Sequence, residues 1–291
     1  MLLWLSRRSL GVLHALGLLL GWAGYALSPS YRQRLRANAA QAGISAAERR
    51  AAIGHAGRMV TEMPRLWLRP AHQPLLPAVQ WQGVELIEAA LDAGRGLLLW
   101  TPHLGAFEVI GQAYAARFGA RQPMTALYRP ARKAWLRELE ETARQRPGML
   151  TAPATLAGVR QMLRALRRGQ TVGLLPDQVP PDEMGVWAPF FGRPAYTMTL
   201  AARMALQTGA PVLPVMAERL PDAAGWCIQV FELREPLPQA SQFAGDDLAH
   251  QTECAAVVNR AMEFLIRRCP AQYLWGYHRY KSPRVAAATR D

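Results

Sequence analysis

Two short, predominantly apolar runs in this chain are each cut off by proline and followed at once by titratable side chains. Residues 96–101 (Gly-Leu-Leu-Leu-Trp-Thr) break at Pro102 before His103, and residues 171–175 (Thr-Val-Gly-Leu-Leu) break at Pro176 before Asp177 and Gln178. An apolar run this short, with no polar alternation, reads as a strand buried on both faces. Around these runs the pattern turns helical, at residues 84–93, 107–118, 132–146, 156–168, 199–207 and 246–268, with Gly169 as a C-terminal cap. Further strands are expected at residues 124–128, 211–218 and 226–232. Short strands alternating with helices predict an α/β fold, a mixed central sheet flanked by helices and made irregular by its prolines and glycines.

The N-terminal end has another character. Residues 11–27 are apolar except for His14, and arginines flank them on both sides. Seventeen residues at 1.5 Å each reach about 25 Å, a little short of a hydrocarbon core of about 30 Å. A spanning, a half-inserted and a surface-bound helix all fit that length, and basic flanks on both sides leave its orientation open. The run ends at Tyr25, Ala26, Leu27, Ser28 and Pro29 without a small-x-small cleavage pattern, so a retained anchor is expected. The expected organisation is an anchor at 1–30, a basic helical, membrane-proximal stretch at 31–77 and a catalytic domain at 78–291.

Charge narrows the partners. The chain has 291 residues and a formal charge of +13, from 34 basic and 21 acidic residues. Such an excess suits an anionic membrane, an acidic protein or a phosphorylated substrate. It is concentrated early: residues 1–75 hold ten arginines against Glu48 and Glu62. Cys227, Cys254 and Cys269 lack the spacing of a disulfide framework or a metal site, and their odd number suits a reducing compartment. No Walker loop or dinucleotide fingerprint is present.

Five blocks carry candidate chemistry. In the first, His103 and Glu108 stand where a strand gives way to a helix. An imidazole there suits deprotonation of a hydroxyl, with the carboxylate holding one ring nitrogen and favouring the imidazolium that forms. In the second, Arg129 follows Tyr128 and precedes Pro130, where it would fork onto an anion or onto developing oxyanion charge, or simply occupy a surface turn. In the third, Asp177 binds an acceptor, pairs with Arg129 or caps a turn, with Gln178 beside it. In the fourth, Phe190 and Phe191 wall an acyl channel or pack in the core, and Arg193 is a candidate headgroup contact. The fifth runs from Tyr273 to Lys281 and mixes aromatic with basic residues, Arg279 among them, as headgroup or phosphate interfaces do. Nucleic-acid binding by stacking and charge fits the same mixture, but the apolar N-terminal segment argues against it.

Taken in order, these blocks resemble the bacterial lipid A biosynthesis acyltransferases that add secondary lauroyl or myristoyl chains in lipopolysaccharide assembly. The likeness rests on His103 and Glu108, on Tyr128-Arg129-Pro130 and on Pro176-Asp177-Gln178. It continues through Phe190-Phe191-Gly192, Gly209-Ala210-Pro211-Val212 with Pro214, and Trp275 to Lys281. One departure is Ala271, where an acidic residue often stands in that family. The resemblance implies a glycerolipid-acyltransferase-like fold behind a membrane helix, on the cytoplasmic face of a bacterial inner membrane. It implies an acyl carrier protein thioester as donor, with no metal or redox cofactor, and a lipid A precursor hydroxyl as acceptor. His103 would act as base, Glu108 would orient it, and Arg129 or backbone N–H groups would stabilise the oxyanion. Asp177, Gln178, Phe190, Phe191, Arg193, Arg279 and Lys281 form the expected substrate-contacting set. A related acyltransferase acting on an ornithine lipid or a lysophospholipid is the nearest rival. A hydrolase is disfavoured because no nucleophile elbow accompanies the histidine. No acyl-enzyme is required.

Overall fold

The computed structural model describes residues 2–70, 72–128 and 146–284. Four helices come first: α1 (Leu2–Ser6), α2 (Leu10–Leu27), α3 (Pro29–Gln41) and α4 (Ala46–Trp67). Then follow β1 (Gln80–Gln82), α5 (Val84–Asp92), β2 (Leu97–Trp100), α6 (Phe107–Phe118), β3 (Met124–Tyr128) and β4 (Met149–Pro153). Next are α7 (Leu156–Arg167), β5 (Thr171–Leu174), the hairpin β6 (Gly185–Phe190) and β7 (Arg193–Met198), and α8 (Leu200–Thr208). The chain closes with β8 (Val212–Arg219), β9 (Trp226–Val230) and α9 (Asp247–Arg268). The helix expected at 132–146 lies outside the described residues except for Arg146.

Seven strands form one mixed sheet in the order β1-β9-β8-β2-β5-β3-β4. All pairs are parallel except β8 with β9. The apolar run of β2 explains its central place: Leu97, Leu98, Leu99 and Trp100 are each at most 1% exposed. Alternation divides them between two cores. Leu98 and Trp100 join α7, α8 and α9 on one face, while Leu97 and Leu99 join α5 and α6 on the other. Burying each such side chain stabilises the fold by about 1.5–3 kcal/mol, so displacing either parallel strand would be costly.

Four strands are not legible in the sequence. β1 and β4 are edge strands, too short or too mixed to show a period. The proline- and glycine-rich stretch before Pro194 conceals the β6–β7 hairpin, whose turn residues Phe191 (φ 47°) and Gly192 (φ 74°) are both left-handed. That is the primed turn whose twist matches paired strands. The basic helical stretch divides in two, because Ser45 and Glu48 form a capping box that starts α4 afresh.

α2 does not stand alone. It is long and apolar enough to cross a membrane by length and composition. Yet His14, Gly17 and Gly21 are buried against α4. A Cβ at Gly57 would run into the Gly17 carbonyl oxygen, and one at Gly17 would lie 2.5 Å from the Arg58 Cα. The two backbones therefore approach as closely as small residues permit. Thr61 donates to the Leu13 carbonyl across this seam at 2.7 Å. The opposite face exposes Leu19, Leu20, Trp22 and Leu27, with Leu3 and Trp4 of α1 nearby in sequence. Arg32 turns back and donates to the Tyr25 and Ala26 carbonyls at 3.2 and 3.1 Å, satisfying the end of α2. α3 is tied to the C-terminal block: Asn38 donates to the Trp275 and Tyr277 carbonyls, both at 2.8 Å.

Candidate active site

β2 and β5 are neighbours in register, Trp100 opposite Leu174. The ladder runs on one step further, with the Thr101 N–H donating to the Leu174 carbonyl at 3.1 Å. His103 and Asp177 each lie three residues beyond a paired residue, so equal steps bring them together at the carboxyl edge of the sheet. Ligand-binding groups of α/β proteins gather at such an edge.

The His103 ring Nδ1 lies 2.7 Å from Asp177 Oδ1, and the His103 backbone N–H donates to Oδ2 at 3.0 Å. Because a carboxylate only accepts, Nδ1 carries the hydrogen, and in the neutral ring Nε2 is the nitrogen that keeps its lone pair. The ring packs edge-on to Phe107, with centroids 4.9 Å apart. Its side chain is 20% exposed, whereas that of Asp177 is 2% exposed. Burial works against the Asp177 charge, but His103 and, further off, Arg279 outweigh it and hold the carboxyl below its ordinary range. Burial, and then the Asp177 charge, push the Tyr273 hydroxyl well above its ordinary value, so it stays neutral.

This arrangement corrects the expected partner of the ring. The sequence pattern assigns one ring nitrogen to Glu108, but the carboxylate on Nδ1 belongs to Asp177, 74 residues away. Glu108 lies in the first turn of α6 and lines a narrow cleft with Phe107, Met59, Met63 and Arg219. Proximity in sequence suggested Glu108; strand register selected Asp177. Of the readings open for Asp177, a turn cap does not describe this geometry, since both carboxylate oxygens face His103. Arg129, and with it an Asp177–Arg129 pairing, lies outside the described residues. Position 129 directly follows the C-terminal end of β3, the strand beside β5.

The loop carrying His103 is held from beneath. Gly105 is left-handed (φ 59°), and a Cβ there would collide with the Ala217 carbonyl of β8. The Gly105 N–H donates to the Gln272 carbonyl at 3.0 Å, and the Ala106 N–H to the Ala217 carbonyl at 2.8 Å. Among the described residues no group of three or more His, Cys, Asp or Glu side chains is placed to hold a metal ion. The cysteines are buried, and burial pushes Cys254 up to about 11 and Cys269 up to about 12. Neither would supply much thiolate at neutral pH.

Comparison with known proteins follows the same path through the chain. A family model described as bacterial lipid A biosynthesis acyltransferase matches residues 13–282, from within α2 to beyond the Tyr273–Lys281 block. The chain belongs to the bacterial lipid A biosynthesis acyltransferase family. It is 26% identical over 211 residues to the lipid A biosynthesis palmitoleoyltransferase of Escherichia coli K12, covering 72% of this chain and 63% of that one. It is 27% identical over 203 residues to the lauroyltransferase of the same organism, covering 69% and 61%. A lipid A biosynthesis acyltransferase of Haemophilus influenzae is 27% identical over 193 residues, covering 66% and 56%. The matched stretch thus spans less than two thirds of each of these relatives' lengths.

For this acyltransferase-family chain, several expected substrate contacts have other duties. Phe190 and Phe191 are 2% and 5% exposed, packed edge to face with centroids 4.8 Å apart. They belong to the core on the α9 side, the packing alternative of the two expected for them. Arg279 is 2% exposed, and the hydrogen bonds of its guanidinium are internal. It donates to the Tyr196 carbonyl at 2.6 Å, to Thr197 Oγ1 at 2.7 Å and to Asn259 Oδ1 at 3.1 Å, tying the hairpin to α9. Its charge still reaches Asp177. Gln178 is half-buried beside that aspartate. Arg193 is exposed, with its guanidinium 4.6 Å from the Tyr280 ring centroid. Lys281 sits 5.1 Å from that of Tyr277.

Sequence reading missed a buried ionic group. His14 of α2, Glu62 of α4 and Arg219 at the end of β8 meet beneath the His103 loop, at 8%, 1% and 3% exposure. Glu62 was the rarer signal, one of two acidic residues among ten arginines, and His14 alone interrupted the apolar run. Either could have been flagged, but nothing local pairs them.

Proposed function

We propose that this chain transfers a fatty acyl group from an acyl carrier protein thioester to a hydroxyl of a lipid A precursor. The observation that carries the chemistry is the hydrogen bond of His103 Nδ1 to the buried Asp177, which fixes the tautomer and leaves Nε2 to act as base. Nε2 takes the acceptor hydroxyl proton as its oxygen attacks the thioester carbonyl carbon. The tetrahedral oxyanion collapses, the carbon–sulfur bond breaks, and the departing sulfur takes the proton back from the imidazolium. An ester and a free carrier thiol result, and the histidine returns to its starting state. Asp177 steadies the transient imidazolium, and Glu108 adds negative potential from the adjoining cleft. Arg129 or backbone N–H groups of the loop serve the oxyanion.

The acceptor is assigned from the family match and from the names of its relatives. The donor is assigned from the strongly basic chain, since carrier protein is acidic and charge complementarity speeds such encounters. The exposed leucine face of α2 supports membrane association, and the arginine-rich helices beside it suit anionic headgroups such as those of an inner leaflet. The test offers purified protein a panel of acyl carrier protein thioesters, with tetra-acylated lipid A precursor, ornithine lipid precursor and lysophospholipid as acceptors, and weighs the products by mass spectrometry. One added acyl chain on the lipid A precursor is expected, and folded His103→Ala should lower kcat by about 10²–10⁴. Near-normal turnover by that variant would remove His103 from the mechanism. Transfer to another acceptor alone would replace the substrate assigned here.

A further inference from the structure

The loop that carries His103 is connected to the apolar N-terminal helix by an unbroken chain of buried hydrogen bonds. His14 Nε2 lies 2.5 Å from Glu62 Oε1. Glu62 Oε2 accepts from Arg219 Nε at 2.8 Å, and Arg219 Nη2 donates to the Gly105 carbonyl at 2.8 Å. Four elements, α2, α4, β8 and the loop, thus meet through three side chains that water scarcely reaches. Arg219 is itself locked in place. Its N–H donates to Gln272 Oε1 at 2.9 Å, its carbonyl accepts from Gln272 Nε2 at 3.0 Å, and the Gln272 carbonyl accepts from Gly105. Burial opposes the Glu62 charge, but Arg219 and His14 outweigh it, so the carboxylate stays ionised.

Gly105 is the point of transmission. Its left-handed backbone stands two residues from His103, and its approach to Ala217 leaves no room for a side chain. A guanidinium drawn away from the Gly105 carbonyl would release one of the few polar contacts that set the angle at which His103 leaves β2. Because Glu62 fixes the guanidinium and His14 fixes Glu62, the seating of α2 reaches the general base.

We infer that His14, Glu62 and Arg219 are positioning residues that couple the docking of α2 against α4 to the placement of the His103 loop. α2 is therefore part of the catalytic apparatus, beyond any role as an anchor. The catalytic consequence rests on the acyl-transfer reading above; the coupling itself does not.

Full-length protein in detergent micelles tests this, since anchorage there is irrelevant. Hydrogen exchange of the backbone amides at residues 103–106 is measured in wild type, His14→Ala, Glu62→Gln and Arg219→Lys, together with kcat and KM for transfer from carrier thioester to lipid A precursor. Each variant should lose protection at 103–106 while α6 beyond its first turn and β5 keep theirs. Each should also lower kcat about tenfold or more with KM within about twofold, as expected when geometry rather than binding is lost. The double variant His14→Ala with Glu62→Gln should be no slower than Glu62→Gln alone, because the two act in series. Unchanged loop exchange in folded His14→Ala, with only the melting temperature lowered, would overturn the inference. If Glu62→Gln or Arg219→Lys fails to fold, His14→Ala still decides it, because the Glu62–Arg219 pair survives in that variant. An inactive wild-type protein would remove the acyl-transfer reading and leave the coupling to be judged by exchange alone.

Discussion

At the residue scale, the site depends on charges kept ionised where water is nearly excluded. Asp177→Asn keeps the volume but loses the charge and favours the wrong ring tautomer. It should lower kcat by about 10²–10⁴ with little change in KM, read from steady-state transfer. A variant within about twofold of wild type would show that Asp177 does not orient the base. His55 of α4 works in the opposite sense. Burial, and then the charges of Arg219, Arg58 and His14, push it down to about 3 despite Glu62, so it is neutral when folded. The unfolded chain takes a proton there near its ordinary value of 6.5. Between those two values the unfolded state binds one more proton, so stability falls as pH falls, by about 1.4 kcal/mol per pH unit. Glu62 adds to this only at lower pH. Its depressed value contributes stability above the ordinary carboxylate range, lost as pH drops through the folded value. Denaturant melts from pH 7 to pH 4 should therefore show His55→Gln with a shallower pH slope than wild type, and equal slopes would rule out His55 as the source.

At the element scale, the α2–α4 seam separates two kinds of glycine. Gly57→Ala would drive a methyl into the Gly17 carbonyl, whereas a Cβ at Gly24 meets nothing within 4 Å. Gly57→Ala should destabilise by about 1–3 kcal/mol through overpacking. Gly24→Ala should stabilise by up to about 1 kcal/mol, since alanine loses less backbone entropy in a helix. Parallel melts in the same detergent check both, and equal effects would mean that the seam is not tightly packed. The strand elements show how far pattern reading reaches. β2 and β5 were legible because four consecutive buried residues admit no polar alternation, and proline ended each run. The hairpin was not, because Pro189, Pro194 and Gly192 read as loop until Phe190 and Arg193 are seen paired across the turn.

At the scale of the whole molecule, the +13 charge and the seated N-terminal helix make separate predictions. Rising salt should raise KM for the acyl carrier thioester and leave kcat nearly unchanged, because screening weakens encounter without touching the base. A KM independent of salt would argue against an electrostatically steered donor. Deleting residues 1–27 removes His14 along with the exposed leucine face, so vesicle flotation should fall. Activity should drop in detergent as well as on bilayers, whereas a simple anchor would be dispensable in detergent. The sequence by itself determined the alternation of strands and helices, the apolar N-terminal segment and the emergence of His103 and Asp177 at strand ends. Those are local properties, written in periodicity and proline breaks within a few residues. Only the tertiary structure decided that the ring pairs with Asp177 rather than Glu108, that Arg279, Phe190 and Phe191 are buried, and that Glu62 meets both His14 and Arg219. Those outcomes depend on the register of Trp100 with Leu174 and on contacts spanning 48 and 157 residues. No local period encodes such separations; packing and the cost of burying an unpaired charge do.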